Sequence, residues 1–213
     1  MRMTSGPSSM RDRLAALTRP DHEALHDHPW IMRLGHADLR VDHYRAILRA
    51  YWGFFRHVET ARMHHGSWAQ LSLADPITDL WADCTGLGVT EAPSVDDYWL
   101  AEPMEVLAAL YVVHGSGFGG RVLGRGVAAA LPGAPRAYLC RGTSPDLWRR
   151  LIAELDRHSS DAPAADALLQ GTRRCFRAFG RHVTISCASA DASGLPAQRL
   201  PPADRPLHKS HPG

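Results

Sequence analysis

The stretch MEVLAALYVVHGSGFGGRVLGRGVAAAL, from Met104 to Leu131, decides the fold. It contains no proline and its apolar character predicts one long helix, although six glycines lie in its second half. Glycine inside a helix costs about 1 kcal/mol relative to alanine, so the whole penalty approaches ~5 kcal/mol. Because residues advance about 100° around a helix, the glycines divide between two opposite faces. One face carries Gly115, Gly119 and Gly126, and the other carries Gly117, Gly120 and Gly124.

Two interpretations account for glycines in these positions. Another helix packs closely on one face, with a kink between the two faces. Alternatively, a flat ligand lies against one face and the other face lets the helix bend over it. Glycine most often serves packing, so residues elsewhere in the chain are needed to decide.

Composition limits the class of protein. The 213 residues suit one domain, and 45% of them are apolar, which is ordinary for a globular protein. The net charge of +2, without a long basic run, argues against a broad nucleic-acid-binding surface. The four cysteines form no C-x-x-C pair, and we find no signal peptide and no apolar run long enough to cross a bilayer. We therefore expect a soluble, reduced, cytoplasmic protein with no membrane and no nucleic-acid partner.

Apolar residues recur at helical spacing along most of the chain, and no segment alternates as a strand. The sequence predicts an all-α fold of seven or eight helices in one domain, residues 10–188, between disordered segments at 1–9 and 189–213. Pro20 predicts a kink or a restart in the first helix, which ends by His28. Ser144 and Pro145 form a clear helix start. The predicted helices cover about 10–28, 42–63, 68–73, 76–86, 103–131, 145–155 and 163–183.

Histidine and arginine are the candidates for chemistry. His22 lies on the apolar side of the first helix, where it is either a core residue or a ligand to a buried metal or haem iron. His26 follows one turn later, so the two histidines form a candidate metal-binding pair that needs a further ligand from elsewhere. Arg149 and Arg150 belong either to a solvated basic face or to a site for carboxylates.

Three motifs in order resemble the haem oxygenases. LAALTRPDHEAL, residues 14–25, is similar to their opening motif around a histidine. GSGFGG, residues 115–120, resembles the distal-helix motif of the bacterial, bacteriophytochrome-associated type. SPDLWR, residues 144–149, is similar to a later segment with an aromatic–arginine pair. The likeness covers about residues 10–185 and implies a multi-helix bundle that holds haem between a proximal and a distal helix.

The resemblance also implies residue roles. His22 corresponds to the axial ligand of the haem iron, which binds as a neutral imidazole. Ser116 stands where some members have an aspartate that orders water, and Arg149 corresponds to the partner of a haem propionate. The distal glycines let the backbone approach the iron-bound ligand, and they correspond to Gly115, Gly119 and Gly120. The Gly115–Gly119 face thus becomes the expected haem face, with Gly117 and Gly124 packing and Gly120 shared.

The implied reaction opens haem oxidatively to biliverdin, carbon monoxide and ferrous iron, with haem as both cofactor and substrate. O2 and an external electron donor, a reductase or a ferredoxin, are required, and a bacteriophytochrome is a candidate recipient of biliverdin. His22, Gly115, Ser116 and Gly119 are the implied catalytic residues.

Some positions depart from the family pattern. Ala15 stands where a basic residue usually contacts the second propionate, so Arg11, Arg13 or another residue replaces it, or the contact is weaker. His26 stands where a glutamate often orients the axial imidazole, and Pro20 lies unusually close to His22. Two other functions stay open: a haem-binding or sensing protein without turnover, and a non-haem metal enzyme of the same fold.

Overall fold

The computed structural model of this chain describes residues 9–96, 98 and 100–192. All secondary structure in these residues is helical and none of them forms a strand, which confirms the predicted all-α fold. Nine α-helices and one 3-10 turn are present there, slightly more than predicted. The helices are α1 (Met10–Leu17), α2 (Arg19–His26), α3 (Pro29–Arg33), α4 (Val41–His65), α5 (Ala74–Gly86), α6 (Pro103–Ala130), α7 (Ala137–Arg141), α8 (Pro145–Arg157) and α9 (Ala162–Ala192). The segments 1–8 and 193–213, which we predicted to be disordered, lie outside the described residues, and the domain limits stay a prediction.

The break at Pro20 is a restart, because α1 ends at Leu17 and α2 begins at Arg19. The Thr18 hydroxyl donates to the Leu14 carbonyl at 2.8 Å, which closes the end of α1. Proline is well tolerated in the first turn of the new helix, since its missing N–H has no partner there. The restart gives α2 a direction independent of α1.

The core forms around α4, which packs against α5, α6 and α9. Its side chains include the fully buried Tyr44, Ile47 and Phe54. The helix ends at Gly66, whose φ of 65° is the left-handed conformation that glycine adopts without strain. The predicted amphipathic helix over 42–63 is therefore present and slightly longer.

Helix α6 runs unbroken for 28 residues from Pro103 to Ala130. A capping box closes its start, with Glu102 and Glu105 each accepting from the other's backbone N–H. We expected no apolar run long enough to cross a bilayer. This expectation is wrong, because α6 is both long enough and apolar enough to do so. A core helix passes the same tests, and 44% of the most apolar window of α6 is buried, against α4, α7 and α9.

Two short helices escaped the sequence analysis. α3 begins where His28 Nδ1 accepts the Trp30 N–H at 3.3 Å. α7 begins where the Asp83 carboxylate accepts two backbone N–H groups, from Ala137 at 2.8 Å and from Tyr138 at 3.0 Å. Five residues are too few for a helical period to show in the sequence. The cap of α7 comes from a residue more than fifty positions away, which sequence cannot reveal.

The last two helices complete the bundle. α8 begins at Pro145 with the Ser144 hydroxyl accepting the Leu147 N–H, as Ser-Pro predicts. α9 continues to Ala192 rather than ending near Val183, so residues 189–192 are helical where we predicted a tail. α9 approaches α6 closely, since a Cβ added at Gly171 would lie 2.9 Å from the Ala108 Cβ.

Candidate functional site

A cleft of about 590 Å³ lies among helices α1, α2, α3, α4, α6, α8 and α9. This volume is within the range of small-molecule and cofactor sites, and the lining is mostly apolar and aromatic. Four predicted site residues line it together: His22, Gly115, Ser116 and Gly119. The cleft also brings in His26 and Arg11. Gly120 and Arg149 are not among its lining residues.

His22 presents its imidazole to the cleft from α2. The ring packs against His26 at 4.4 Å between centroids and meets the edge of Phe176 at 5.6 Å. Among the described residues, neither of its ring nitrogens has a hydrogen-bond partner. Burial, aided by the neighbouring His26, lowers the pKa of His22, although Glu23 opposes this shift. The neutral imidazole, which is the form that binds a metal, is thereby favoured.

His26 supports His22 through ring packing alone. The described residues show no hydrogen bond between the two rings, so His26 does not orient its neighbour as a carboxylate would. Within the part of the chain that the structure describes, no group of three or more His, Cys, Asp or Glu side chains is arranged to hold a metal ion. A histidine–carboxylate metal centre built on His22 and His26 therefore lacks its further ligand there.

Two glycines of α6 expose backbone to the cleft. A Cβ added at Gly119 would meet nothing within 4 Å, so this surface is open. At Gly115 the nearest atom to an added Cβ is Trp148 Cη2, at 3.7 Å, an ordinary contact. Neither glycine is therefore required by protein packing. Both leave room for a ligand to approach the helix backbone.

The remaining glycines of α6 serve packing. An added Cβ would lie 2.9 Å from the Leu139 carbonyl oxygen at Gly120 and 3.3 Å from Leu139 Cβ at Gly124. At Gly117 an added Cβ would collide with the Thr143 hydroxyl. Gly120, which we expected to share both roles, thus belongs to the face against α7, because it is turned about 100° from Gly119.

Gly126, which we predicted on the ligand face, packs against protein instead. A Cβ added there would lie 2.8 Å from the Leu34 carbonyl oxygen and 3.3 Å from Gly35 Cα. Helical phase alone had placed Gly126 with Gly115 and Gly119. The segment after α3 covers the far end of that face, so the open surface is limited to the first two glycines.

Ser116 lies between the two cleft glycines and is held by two hydrogen bonds. Its hydroxyl donates to the Val113 carbonyl at 2.7 Å. Its oxygen lies 3.1 Å from the Tyr138 hydroxyl of α7. A polar group of fixed position is therefore available in an otherwise apolar part of the cleft.

The cationic side chain at the cleft is Arg11 rather than Arg149. Arg11 lines the cleft and pairs with Asp12 at 3.0 Å. Arg149 is 77% exposed and pairs with Asp146 on its own helix. Adjacent helical residues point about 100° apart, and it is Trp148 that faces the cleft. Ala15 is exposed and does not line the cleft.

The aromatic walls of the cleft were not predicted from the sequence. Trp148 stacks on Tyr111 at 5.7 Å and receives the edge of Phe118 at 4.9 Å. These side chains come from α6 and α8; Trp148 and Phe118 stood in motifs that we quoted, but neither was predicted to form a wall. Several other aromatic residues also line the cleft: Tyr51, Phe54, Phe55, Phe176 and Phe179. Their helical spacing predicts a buried face but does not distinguish a core from a cleft.

Comparisons of fold identify the architecture. The heme oxygenase from Leptospira interrogans matches with a TM-score of 0.67 and 15% identity, over 84% of this chain and 100% of the other. The heme oxygenase-1 from the cyanobacterium Synechocystis in complex with heme matches at 0.68 and 10% identity, over 87% and 96%. The NO- and CO-bound heme oxygenase from Neisseria meningitidis matches at 0.65 and 19% identity, over 94% and 100%. No family model and no curated protein matches the sequence.

The chain thus has the all-α haem oxygenase fold over nearly all of its described residues. At 10–19% identity these matches define the fold, and activity has to be argued from the site.

The residues of the cleft fit a haem. A histidine with free ring nitrogens and a lowered pKa is a suitable axial ligand. Aromatic and aliphatic side chains suit a flat apolar macrocycle, and Arg11 supplies a cation for carboxylates. The open backbone at Gly119 leaves space beside the helix.

Proposed function

We propose that this protein is a haem oxygenase, which opens haem to biliverdin, carbon monoxide and ferrous iron. The observation that carries the proposal is that His22 and the uncovered glycines Gly115 and Gly119 line one cleft. Gly119 is not needed for packing, because no protein atom lies within 4 Å of a Cβ added there. The fold shared with three bacterial haem oxygenases supports the same reading.

The chain contributes binding, orientation and a polar group to this reaction. His22 would hold the iron of a bound haem through a neutral imidazole, and its packing against His26 and Phe176 limits rotation of the ring. When bound, haem supplies the iron at which oxygen is activated and the ring that is opened. Gly115 and Gly119 leave room along the α6 backbone, and Ser116 holds a proton donor beside it. The aromatic walls exclude bulk water from the apolar part of the cleft.

Arg11 replaces Arg149 and the missing basic residue at position 15 as the partner of a propionate. Arg11 lines the cleft, and its guanidinium pairs with the exposed carboxylate of Asp12 at 3.0 Å. Exposed ion pairs contribute little, so Arg11 can exchange or share this partner at small cost. A charge-assisted hydrogen bond to a carboxylate is the stronger interaction when it is partly desolvated.

The partners follow from the reaction. Electrons come from an external donor, a reductase or a ferredoxin, and O2 is the co-substrate. The GSGFGG motif is typical of the bacteriophytochrome-associated type, so a bacteriophytochrome is the proposed recipient of biliverdin. We place the protein in the cytoplasm, where the near-neutral charge and reduced cysteines are ordinary.

The test begins with a titration of apo-protein with hemin. We expect a sharp Soret band with one hemin per chain, lost or strongly shifted in His22→Ala. His26→Ala is the matched control, one turn away on the same helix, and it should keep the band. Absence of hemin binding in the wild-type protein would rule the proposal out.

Turnover separates the three functions that the sequence left open. The hemin-loaded protein with O2 and a reductant should release carbon monoxide and form biliverdin, detected by its absorption after extraction. Tight hemin binding without either product would identify a haem-binding or sensing protein instead. About two iron or manganese ions per purified chain without Soret absorption would identify a non-haem metal enzyme.

A further inference from the structure

A second cavity, of about 320 Å³, lies on the α7 side of α6. Tyr138 lines it, together with surface residues that include Asp75, Arg121 and Arg141. Ser116 lines the haem cleft but not this cavity, whereas Tyr138 lines this cavity but not the cleft. The hydrogen bond between these two hydroxyls is therefore a polar connection between the two cavities.

The direction of this hydrogen bond follows from counting hydrogens. Ser116 has one hydroxyl hydrogen, and it is directed to the Val113 carbonyl at 2.7 Å. In this arrangement the Tyr138 hydroxyl donates to the Ser116 oxygen at 3.1 Å. Hydrogen bonds in such a chain polarise one another, so the Tyr138 donor makes the Ser116 hydroxyl a better donor in turn.

Tyr138 is held in this position from several sides. The Asp83 carboxylate accepts its backbone N–H at 3.0 Å, which fixes the start of α7. Its buried ring packs against Tyr51 at 5.6 Å and against the edge of Phe55 at 5.4 Å. The close approach of α7 to α6 depends on Gly120, where an added Cβ would collide with the backbone of Leu139. The packing glycines of α6 thus determine where the Tyr138 hydroxyl lies.

We propose that Tyr138 is a positioning residue for Ser116 and that the two hydroxyls pass protons from the second cavity into the haem cleft. In one transfer a hydronium ion or a buffer acid that enters the second cavity from solvent gives a proton to the Tyr138 oxygen. The hydroxyl proton of Tyr138 moves to the Ser116 oxygen, and the Ser116 proton leaves the Val113 carbonyl for an acceptor in the cleft. Each hydroxyl gains one proton and gives up one, so neither ionises.

A relay of this kind suits a buried phenol. Burial raises the pKa of Tyr138, so its anion is disfavoured, while exchange of one proton for another needs no anion. The inference rests on the proposed function, because it is the haem reaction that would place a proton acceptor in the cleft. It goes beyond that function in naming Tyr138 of α7 as the route by which the proton reaches Ser116.

The experiment compares Tyr138→Phe, Ser116→Ala and the double variant in the hemin-loaded protein. Fluoride is the probe, because its affinity for ferric haem depends on a hydrogen-bond donor in the cleft. We expect both single variants to bind fluoride about threefold to tenfold more weakly, the loss expected for one hydroxyl hydrogen bond. The double variant should be no weaker than Ser116→Ala, because Tyr138 acts through Ser116. In turnover assays in which the hemin concentration is varied, kcat should fall in Tyr138→Phe, whereas KM for hemin should not change.

Tyr44→Phe is the matched control. Tyr44 is a fully buried tyrosine near α7 whose hydroxyl donates to the Pro135 carbonyl at 2.8 Å, and it does not line the cleft. It loses a comparable hydrogen bond, so an effect on stability alone would appear in both variants. Fluoride affinity and kcat should stay at the wild-type values in Tyr44→Phe.

Three results would overturn the inference. Fluoride affinity and kcat unchanged in Tyr138→Phe would exclude a role for its hydroxyl. Losses that add in the double variant would show that Tyr138 does not act through Ser116. If Tyr138→Phe does not fold, unchanged fluoride affinity in Ser116→Ala decides against the route. A wild-type protein that does not bind hemin would instead overturn the proposed function, and the inference with it.

Discussion

The two faces of α6 use the same residue for opposite purposes. At Gly119 an added Cβ would meet no atom within 4 Å, whereas at the neighbouring Gly120 it would lie 2.9 Å from a backbone oxygen. Glycine on the α7 side allows two backbones to touch, and glycine on the cleft side keeps a surface free. The helix therefore tolerates its propensity cost for two separate reasons. Substitutions at adjacent positions should distinguish them.

The largest effect is expected for Gly119→Leu on hemin affinity. A leucine side chain would fill the space beside the backbone that we assign to haem, so affinity should fall about a hundredfold, equivalent to about 2.7 kcal/mol. The free energy of unfolding of the apo-protein should not fall, since no protein atom is displaced and leucine has a higher helix propensity than glycine. Titration with hemin and urea unfolding measure the two quantities. Unchanged hemin affinity and turnover would show that the cleft face is not the haem face.

On the α7 side, Gly120→Ala should act on stability. The added methyl group would press on the Leu139 carbonyl, a backbone group that cannot rotate away, so overpacking should cost about 2–3 kcal/mol, the upper part of its usual range. Part of this is offset by up to about 1 kcal/mol of helix propensity, so the net loss should be about 1–2 kcal/mol in urea unfolding. A variant as stable as the wild type would show that α7 can move away freely.

The arginine substitutions test which cation belongs to the cleft side. Arg11→Gln should weaken hemin binding about tenfold, or about 1.4 kcal/mol, because a charge-assisted hydrogen bond to a propionate is lost. Arg149→Gln is the matched control and should bind within about twofold of the wild type. With hemin dimethyl ester, which lacks the carboxylates, the difference should disappear. A larger loss of hemin affinity in Arg149→Gln than in Arg11→Gln would show that Arg149 binds the propionate, as the motif implied.

A smaller effect of opposite sign is expected for Gly119→Ala in the apo-protein. With no steric conflict, alanine should stabilise α6 by about 0.5–1 kcal/mol through helix propensity and the unfolded chain. The thermal midpoint should rise while that of Gly120→Ala falls. If the thermal midpoint changed in the same direction in both variants, the two faces would not differ in packing as we describe.

The pH dependence of stability concerns His114, which is buried on the side of α6 away from the cleft and approaches the Leu71 carbonyl at 3.0 Å. Burial lowers its pKa below the ordinary value near 6.5. The unfolded chain therefore takes up a proton first, and stability is lost as the pH falls below about 6.5 towards the folded pKa. His114→Gln keeps a donor for Leu71, so its stability should decline less steeply between about pH 7 and 5. Equal slopes in urea unfolding would contradict this assignment.

Local sequence was sufficient for much of the architecture. Periodic apolar residues and Ser-Pro or Pro signals predicted α4, α6 and α8 with errors of a few residues at most. The short helix α7 was missed because Asp83, which caps it, is distant in sequence. Helical phase correctly separated Gly119 from Gly117, but it grouped Gly126 with the cleft, since it cannot show that the segment after α3 covers that end.

The candidate site divides in the same way. The motifs indicated His22, Gly115, Ser116 and Gly119 as site residues, and tertiary structure brings these four to one cleft. They also indicated Arg149, yet the orientation of α8 directs Trp148 inward and leaves Arg149 in solvent. Which of two adjacent residues faces a site depends on how the helix rotates in the bundle, and packing of several helices sets that rotation.

The sequence by itself determined that this chain forms an all-α bundle and that α6 carries glycines at helical spacing, because periodicity and proline or glycine positions act locally. Only the tertiary structure decided which glycines meet a backbone and which face open space, and that Tyr138 reaches Ser116. Those outcomes depend on distances between elements far apart in the chain. A glycine looks the same in the sequence whether the space beside it is filled by Leu139 or left free for a ligand.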